Sequence, residues 1–123
     1  MTNLPSRAPS GTPMQDLKWS AAEKVIARKA FNLALERELQ GVILEAKSKA
    51  AKIQEPSGLW ELEQYLTQRR QEIDRMYDYR YSVLPLVLAN LLSRGRLVEE
   101  ELYGLGEDKL GWIQHCSSIS LER

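Results

Sequence analysis

Long stretches in which apolar residues recur every three or four positions alternate with short breaks rich in proline, glycine and serine. That period is the mark of amphipathic helices. The first stretch opens at Ser20, with Glu23 three residues later, the spacing of a reciprocal capping box. Trp19 before the cap and Lys24 or Val25 just inside it are placed for a staple-like contact. From Ala21 to about Ile53 there is no proline and one glycine, Gly41. Leu35, Leu39, Val42, Ala46, Ala50 and Ile53 form one stripe, and Ala22, Ile26, Ala30 and Leu33 a second. Two stripes predict a helix covered on more than one side. Such a helix would be roughly 50 Å long, against a radius of gyration near ~14 Å for a compact domain of this size. It must project, and a second subunit or an antiparallel neighbour is its natural cover, which predicts a homodimer.

Glu55-Pro56-Ser57-Gly58 is the next break: Pro56 ends the first helix and Ser57 is placed to cap the second. That helix is expected over about Leu59 to Tyr77, with a stripe of Leu59, Leu62, Leu66, Ile73 and Met76 or Tyr77. So short a break predicts an antiparallel hairpin. After Tyr77–Ser82 (YDYRYS), Ser82 as N-cap and Pro85 at the third helical position predict a buried third helix, Val83–Arg94, closed by Gly95. Leu97–Tyr103 reads as a short fourth helix and Glu107–His115 as a fifth. Residues 1–16, with three prolines, read as a flexible tail, and 117–123 as a fraying one. No alternating strand pattern occurs; the nearest candidate, SVLPLVL, is interrupted by proline. The expected fold is all-α: one domain over 17–116, made of a long two-helix stalk (about 20–78) and a compact head of short helices (about 82–116).

Composition narrows the function. Seventeen Lys plus Arg balance 17 Asp plus Glu, so no net charge recommends nucleic acid or anionic lipid. The longest apolar run, Val83–Leu92, is far short of the ~20 residues of a membrane span, and no secretory signal is expected at the N-terminus. With one cysteine, Cys116, and one histidine, His115, neither an intramolecular disulfide nor a structural zinc site can be assembled. Adjacent helical residues point about 100° apart, so His115 and Cys116 do not make a nucleophile–base pair. No phosphate-binding, dinucleotide or hydrolase motif occurs, so neither an enzyme nor a cofactor is expected. Glu99-Glu100-Glu101 reads as a solvated face.

The anomaly is Trp60. At about 100° per residue, Leu62, Leu66 and Ile73 cluster opposite it, while Glu63, Gln64, Thr67, Arg70, Gln71 and Asp74 share its side. A tryptophan on a polar face leaves about 150–250 Å² in water unless something covers it. Either it packs on the first helix near Pro56, or it belongs to a dimer or partner interface, where Trp and Arg dominate energetics.

At these residues the chain resembles the fluorescence recovery proteins of cyanobacteria. The resemblance rests on LWELEQYLTQRRQEIDRMYDYRYSV (Leu59–Val83), on WSAAEK and KAFNLALEREL upstream, and on VLANLLSRG and EEELYGLGEDKLGWI downstream. It implies a helical dimer with stalk and head that binds the light-activated red form of the orange carotenoid protein. It implies faster return of that protein to its orange form, which ends non-photochemical quenching at the phycobilisome. The carotenoid belongs to the partner, so no ligand of this chain is implied, and membrane association is at most indirect, through the antenna. The implied location is cytoplasmic, at the stromal face of the thylakoid. Trp60 and Arg70 match family positions that bear on activity and dimer structure. Where the family typically reads W-x-L-H-D-F-L, this chain has Glu63 and Gln64 for the His and Asp. In the head, Leu86 and Trp112 stand where the family has an aromatic and a lysine, and they are candidate head contacts. The alternative is a related helical dimer with a different protein partner.

Overall fold

The computed structural model describes residues 11–121. They form four α-helices, α1 (Ala21–Ala51), α2 (Ser57–Met76), α3 (Leu84–Ser93) and α4 (Glu107–Leu121), with 3₁₀ turns at Met14–Asp16 and Glu99–Leu102. The described residues contain no strand, only an isolated bridge between Tyr103 and Leu105. The fold is all-α.

α1 starts as its capping box dictates. Ser20 Oγ accepts the Glu23 N–H at 3.1 Å, and Glu23 Oε1 accepts the Ser20 N–H at 2.9 Å. The staple does not form: Val25 is exposed, and Trp19 turns to Tyr81, ring centroids 5.4 Å apart. Ser57 is not a cap but the first residue of α2, because Pro56 before it already has helical dihedrals. Ser82 does not cap α3 either; Val83 holds the N-cap, which puts Pro85 at the second helical position. The expected helix over Leu97–Tyr103 is the 3₁₀ turn Glu99–Leu102, closed by Gly104. Gly104 has φ +105°, and a Cβ there would lie 2.5 Å from Ile26 Cδ1, so only glycine fits. The expected fraying from Ser117 is corrected too, since α4 continues to Leu121. Residues 1–10 and 122–123 of the two expected tails lie outside the described residues. Of the rest of the first tail, Thr12 offers its carbonyl to Trp112 Nε1–H at 3.2 Å and Met14–Asp16 form a 3₁₀ turn.

α1 and α2 form an antiparallel hairpin. Along α2, Gly58 meets Ile53, Tyr65 lies under the Lys49 ammonium, Arg69 reaches Glu38, and Tyr77 after the helix donates to the Ala34 carbonyl. The partners on α1 and just after it thus run backwards. The buried stripe of α1 is neither of the two expected; it is Ala27, Ala30, Phe31, Ala34 and Glu38. With Leu84, Leu88 and Leu91 of α3, Leu102, and Ile113 of α4, its apolar members build the core of the head. Each large side chain fully buried there contributes about 1.5–3 kcal/mol.

YDYRYS is an irregular strap, turned where the Arg80 N–H donates to the Asp78 carbonyl and again where the Val83 N–H donates to the Arg80 carbonyl. Its tyrosine rings cluster, Tyr79 lying 5.3 Å from Tyr81. Tyr77 and Tyr79 meet Phe31 edge-on at 5.5 and 4.9 Å, and the Arg28 guanidinium lies 3.6 Å from the Tyr79 ring centroid.

Candidate partner-binding surface

What fixes the rotation of α2 is a carboxylate. Glu38 is fully buried, and three guanidiniums converge on it: Arg69 of α2 at 2.6 Å, Arg94 after α3 at 2.6 Å and Arg96 at 3.0 Å. The Tyr77 hydroxyl donates to it at 3.0 Å. Burial alone would push the Glu38 carboxyl up. The hydrogen bonds from Arg94, Arg96, Arg69 and Tyr77 outweigh it and hold the group at about 2. Burial, together with this neighbouring charge, pushes the Tyr77 hydroxyl well above its ordinary range. Arg69 also pairs with Glu72. One buried anion therefore ties α1, α2 and the end of α3 together.

With Arg69 turned inward, the opposite side of α2 faces solvent. Trp60 is 68% exposed there, so packing of its ring on α1 is ruled out within one chain. Glu63, Gln64, Thr67, Arg70, Gln71 and Asp74 are exposed with it. Only Thr67 and Glu63 touch, at 3.5 Å; Arg70 and Asp74 make no hydrogen bond or ion pair among the described residues. Arg70 and Asp74 rim a shallow groove of about 400 Å³ between α1 and α2, whose apolar wall includes Leu39, Val42 and Leu66. Gln64 and Gln71 lie on the far shoulder of the helix and do not reach it. The expected α2 stripe is only partly buried: Ile73 is inside, but Leu66 is 41% exposed and Leu59 53%. On α1, Leu39 and Ile43 are exposed as well.

The two head residues have different surroundings. Leu86 is exposed beside a second groove of about 400 Å³ between the end of α2, α3 and α4, with Met76, Cys116 and Ile119. Trp112 is half-buried, edge-on to His115 at 6.0 Å. Burial pushes the Cys116 thiol up, away from nucleophile chemistry.

Sequence reasoning missed the Glu38 hub. It also missed Lys109, buried at the start of α4 against Glu23 at 3.0 Å and the Lys18 carbonyl. The available signal was a carboxylate at position 38 in the small-residue stripe 27–30–34. Glu101 was misread as solvated: it takes both guanidinium nitrogens of Arg37, at 2.9 and 2.7 Å. Among the described residues no cluster of His, Cys, Asp or Glu could hold a metal ion, and no helix is long and apolar enough to cross a membrane.

The structure defines an all-α protein with a braced helical hairpin, whose exposed Trp60 stands near Arg70 and Asp74, ions without a partner among the described residues. Residues 19–117 match the family described as photoprotection regulator fluorescence recovery protein, and the chain belongs to that family. It is 41% identical over 101 residues to the fluorescence recovery protein of Synechocystis sp., covering 82% of this chain and 93% of that one. Two solved structures share the fold with a TM-score of 0.77. The Fremyella diplosiphon fluorescence recovery protein is 42% identical and that of Synechocystis sp. 38%, each match covering 82% of this chain and 99% of the other. The family role is regulation of photoprotection.

Proposed function

We propose that this chain binds the light-activated red form of the orange carotenoid protein through the outward face of α2 and speeds its return to the orange form. Quenching at the phycobilisome then ends. The observation that carries this reading is Trp60, 68% exposed on a helix whose rotation is locked by Arg69 and Glu38. No covalent chemistry is involved and no cofactor of its own is used. A regulator of this kind shifts a partner's conformation only by the difference in its affinity for the two states. Trp60 supplies apolar area, and Arg70 and Asp74 supply charges that have no partner among the described residues. Leu86 extends the contact to the head.

The working unit is a homodimer, supported by Leu39, Ile43 and Leu66, which one chain leaves exposed along the hairpin groove. It acts in the cytoplasm at the stromal face of the thylakoid, without entering the membrane. A second reading, the same helical dimer with a different protein client, is favoured by Glu63 and Gln64, which give this face a different charge pattern from the His-Asp pair it resembles.

The test is dark recovery of the photoconverted carotenoid protein, followed by absorbance with and without this chain. Acceleration is expected. An unchanged rate with the chain in excess rejects the first reading and leaves the second. Trp60→Ala should weaken the contact by about 2 kcal/mol or more, roughly thirtyfold in affinity.

A further inference from the structure

On the side of α4 away from Trp112, a cleft of about 260 Å³ opens between α3, the 3₁₀ turn and α4. Its walls are Leu92, Leu102, Leu110 and Ile113, with Tyr103 exposed at the mouth. A second hollow of about 410 Å³ adjoins it through Leu92, Glu99 and Ser117, adding exposed Val98 and Glu100. Neither hollow is lined by a lysine or arginine. Glu101 of the same acidic run is consumed by Arg37, whereas Glu99 and Glu100 are exposed and have no ion-pair partner among the described residues. Ser117, in the wall of both hollows, has a buried Oγ with no hydrogen-bond partner.

We propose that this cleft docks a segment of another protein that inserts one large apolar side chain between α3 and α4 and sets a lysine or arginine against Glu99 and Glu100. The main cleft is smaller than the roughly 300–1,000 Å³ of small-molecule pockets, which suits a single side chain. The charge decides the rest of the occupant. Two unpaired carboxylates at an apolar mouth attract a cation and repel an acidic segment. This surface is separate from the outward face of α2 and does not depend on the client proposed for it.

The experiment is fluorescence anisotropy on the full chain with a labelled amphipathic peptide of leucine and lysine as probe. Two control peptides replace its leucines by alanine or its lysines by glutamate. The probe should bind in a salt-sensitive way and both controls should fail. Glu99→Lys/Glu100→Lys should weaken the probe roughly tenfold or more and admit the glutamate peptide instead. Gln114→Trp, placed to fill the mouth from an exposed position, should weaken the probe by a similar factor with the helical circular dichroism intact. If the double reversal loses helicity, Glu100→Gln carries the same test with a smaller loss. No probe binding, or binding unchanged in these variants, overturns the proposal. It is equally overturned if a neutral hydrophobic dye fills the cleft regardless of Glu99 and Glu100, or if Gln114→Trp alters sedimentation, which would make the occupant a small molecule or a second copy.

Discussion

In the head, Glu38, Glu23 and Lys109 are buried and each is met by opposite charge, while the apolar side chains around them are sealed from water. Along the hairpin the arrangement is inverted: Leu39, Ile43, Leu59, Trp60 and Leu66 stand in solvent, and Arg70 and Asp74 beside them have no partner among the described residues. The head therefore pairs its buried charges, and the hairpin leaves its apolar side chains and the ions beside them uncovered. A helix pair that leaves so much hydrocarbon exposed is unfinished as a folding unit, and the interface proposed above would complete it. Glu38 is the link between the two regions: from α1 it ties Arg69 of the hairpin to Arg94 and Arg96 of the head.

The widest gap between the halves should appear in truncations. Leu88→Ala removes a fully buried side chain from the head, and an unfolding loss of about 2–5 kcal/mol is expected in urea titration. Leu66→Ala on the hairpin should cost much less in dilute protein, where nothing covers it, and should instead weaken concentration-dependent association. Equal losses for the two in dilute protein would abolish the contrast.

A smaller but more specific effect falls on the boundary. Glu38→Gln leaves three guanidiniums around a neutral amide, and a loss of about 3 kcal/mol is expected. The pH dependence carries the same information. Glu38 has its pKa lowered on folding, from 4.5 to about 2, so it binds fewer protons folded than unfolded. Its stabilisation is complete above about 4.5 and is lost as pH falls towards about 2, a change of about 3 kcal/mol. Glu23 and Glu101 are lowered too and act with the same sign. Acid titration of unfolding should therefore be shallower in Glu38→Gln than in the parent between pH about 4.5 and 2; parallel curves would mean the hub carries no such linkage.

These two halves were not equally legible in the sequence. Some local signals read correctly: Ser20 with Glu23 marked the start of α1 and Gly95 the end of α3. Others did not: α1 stops at Ala51, short of Pro56, and neither Ser57 nor Ser82 caps a helix. The place of Trp60 on the polar side of α2 followed from helical spacing. What failed most widely is chemistry that joins distant residues. Glu38 meets partners 31, 56 and 58 positions away, so nothing near it explains a carboxylate in a buried stripe. The tyrosine strap failed for another reason. An irregular, turned segment has no period that would stand out between two helical patterns. Leu59 and Leu66 were assigned inside because an apolar stripe does not say whether its cover lies in the same chain.

The finest test uses two neighbours of the same type. Arg69 and Arg70 are adjacent on α2, yet Arg69 is tied to Glu38 and Glu72, and Arg70 points to solvent with no partner among the described residues. Arg69→Gln removes one of three cations from a buried carboxylate and should lower unfolding stability by about 1–2 kcal/mol. Arg70→Gln touches nothing inside the chain and should leave stability within about 0.5 kcal/mol. In binding the order reverses. Arg70→Gln should slow carotenoid-protein recovery or loosen the dimer while the fold is intact. Arg69→Gln should act on recovery only to the extent that α2 loses its orientation. If both variants affect stability and recovery alike, the two faces of α2 are not separate, and the division between a head that pairs its buried charges and an uncovered hairpin is wrong at the residue meant to define it.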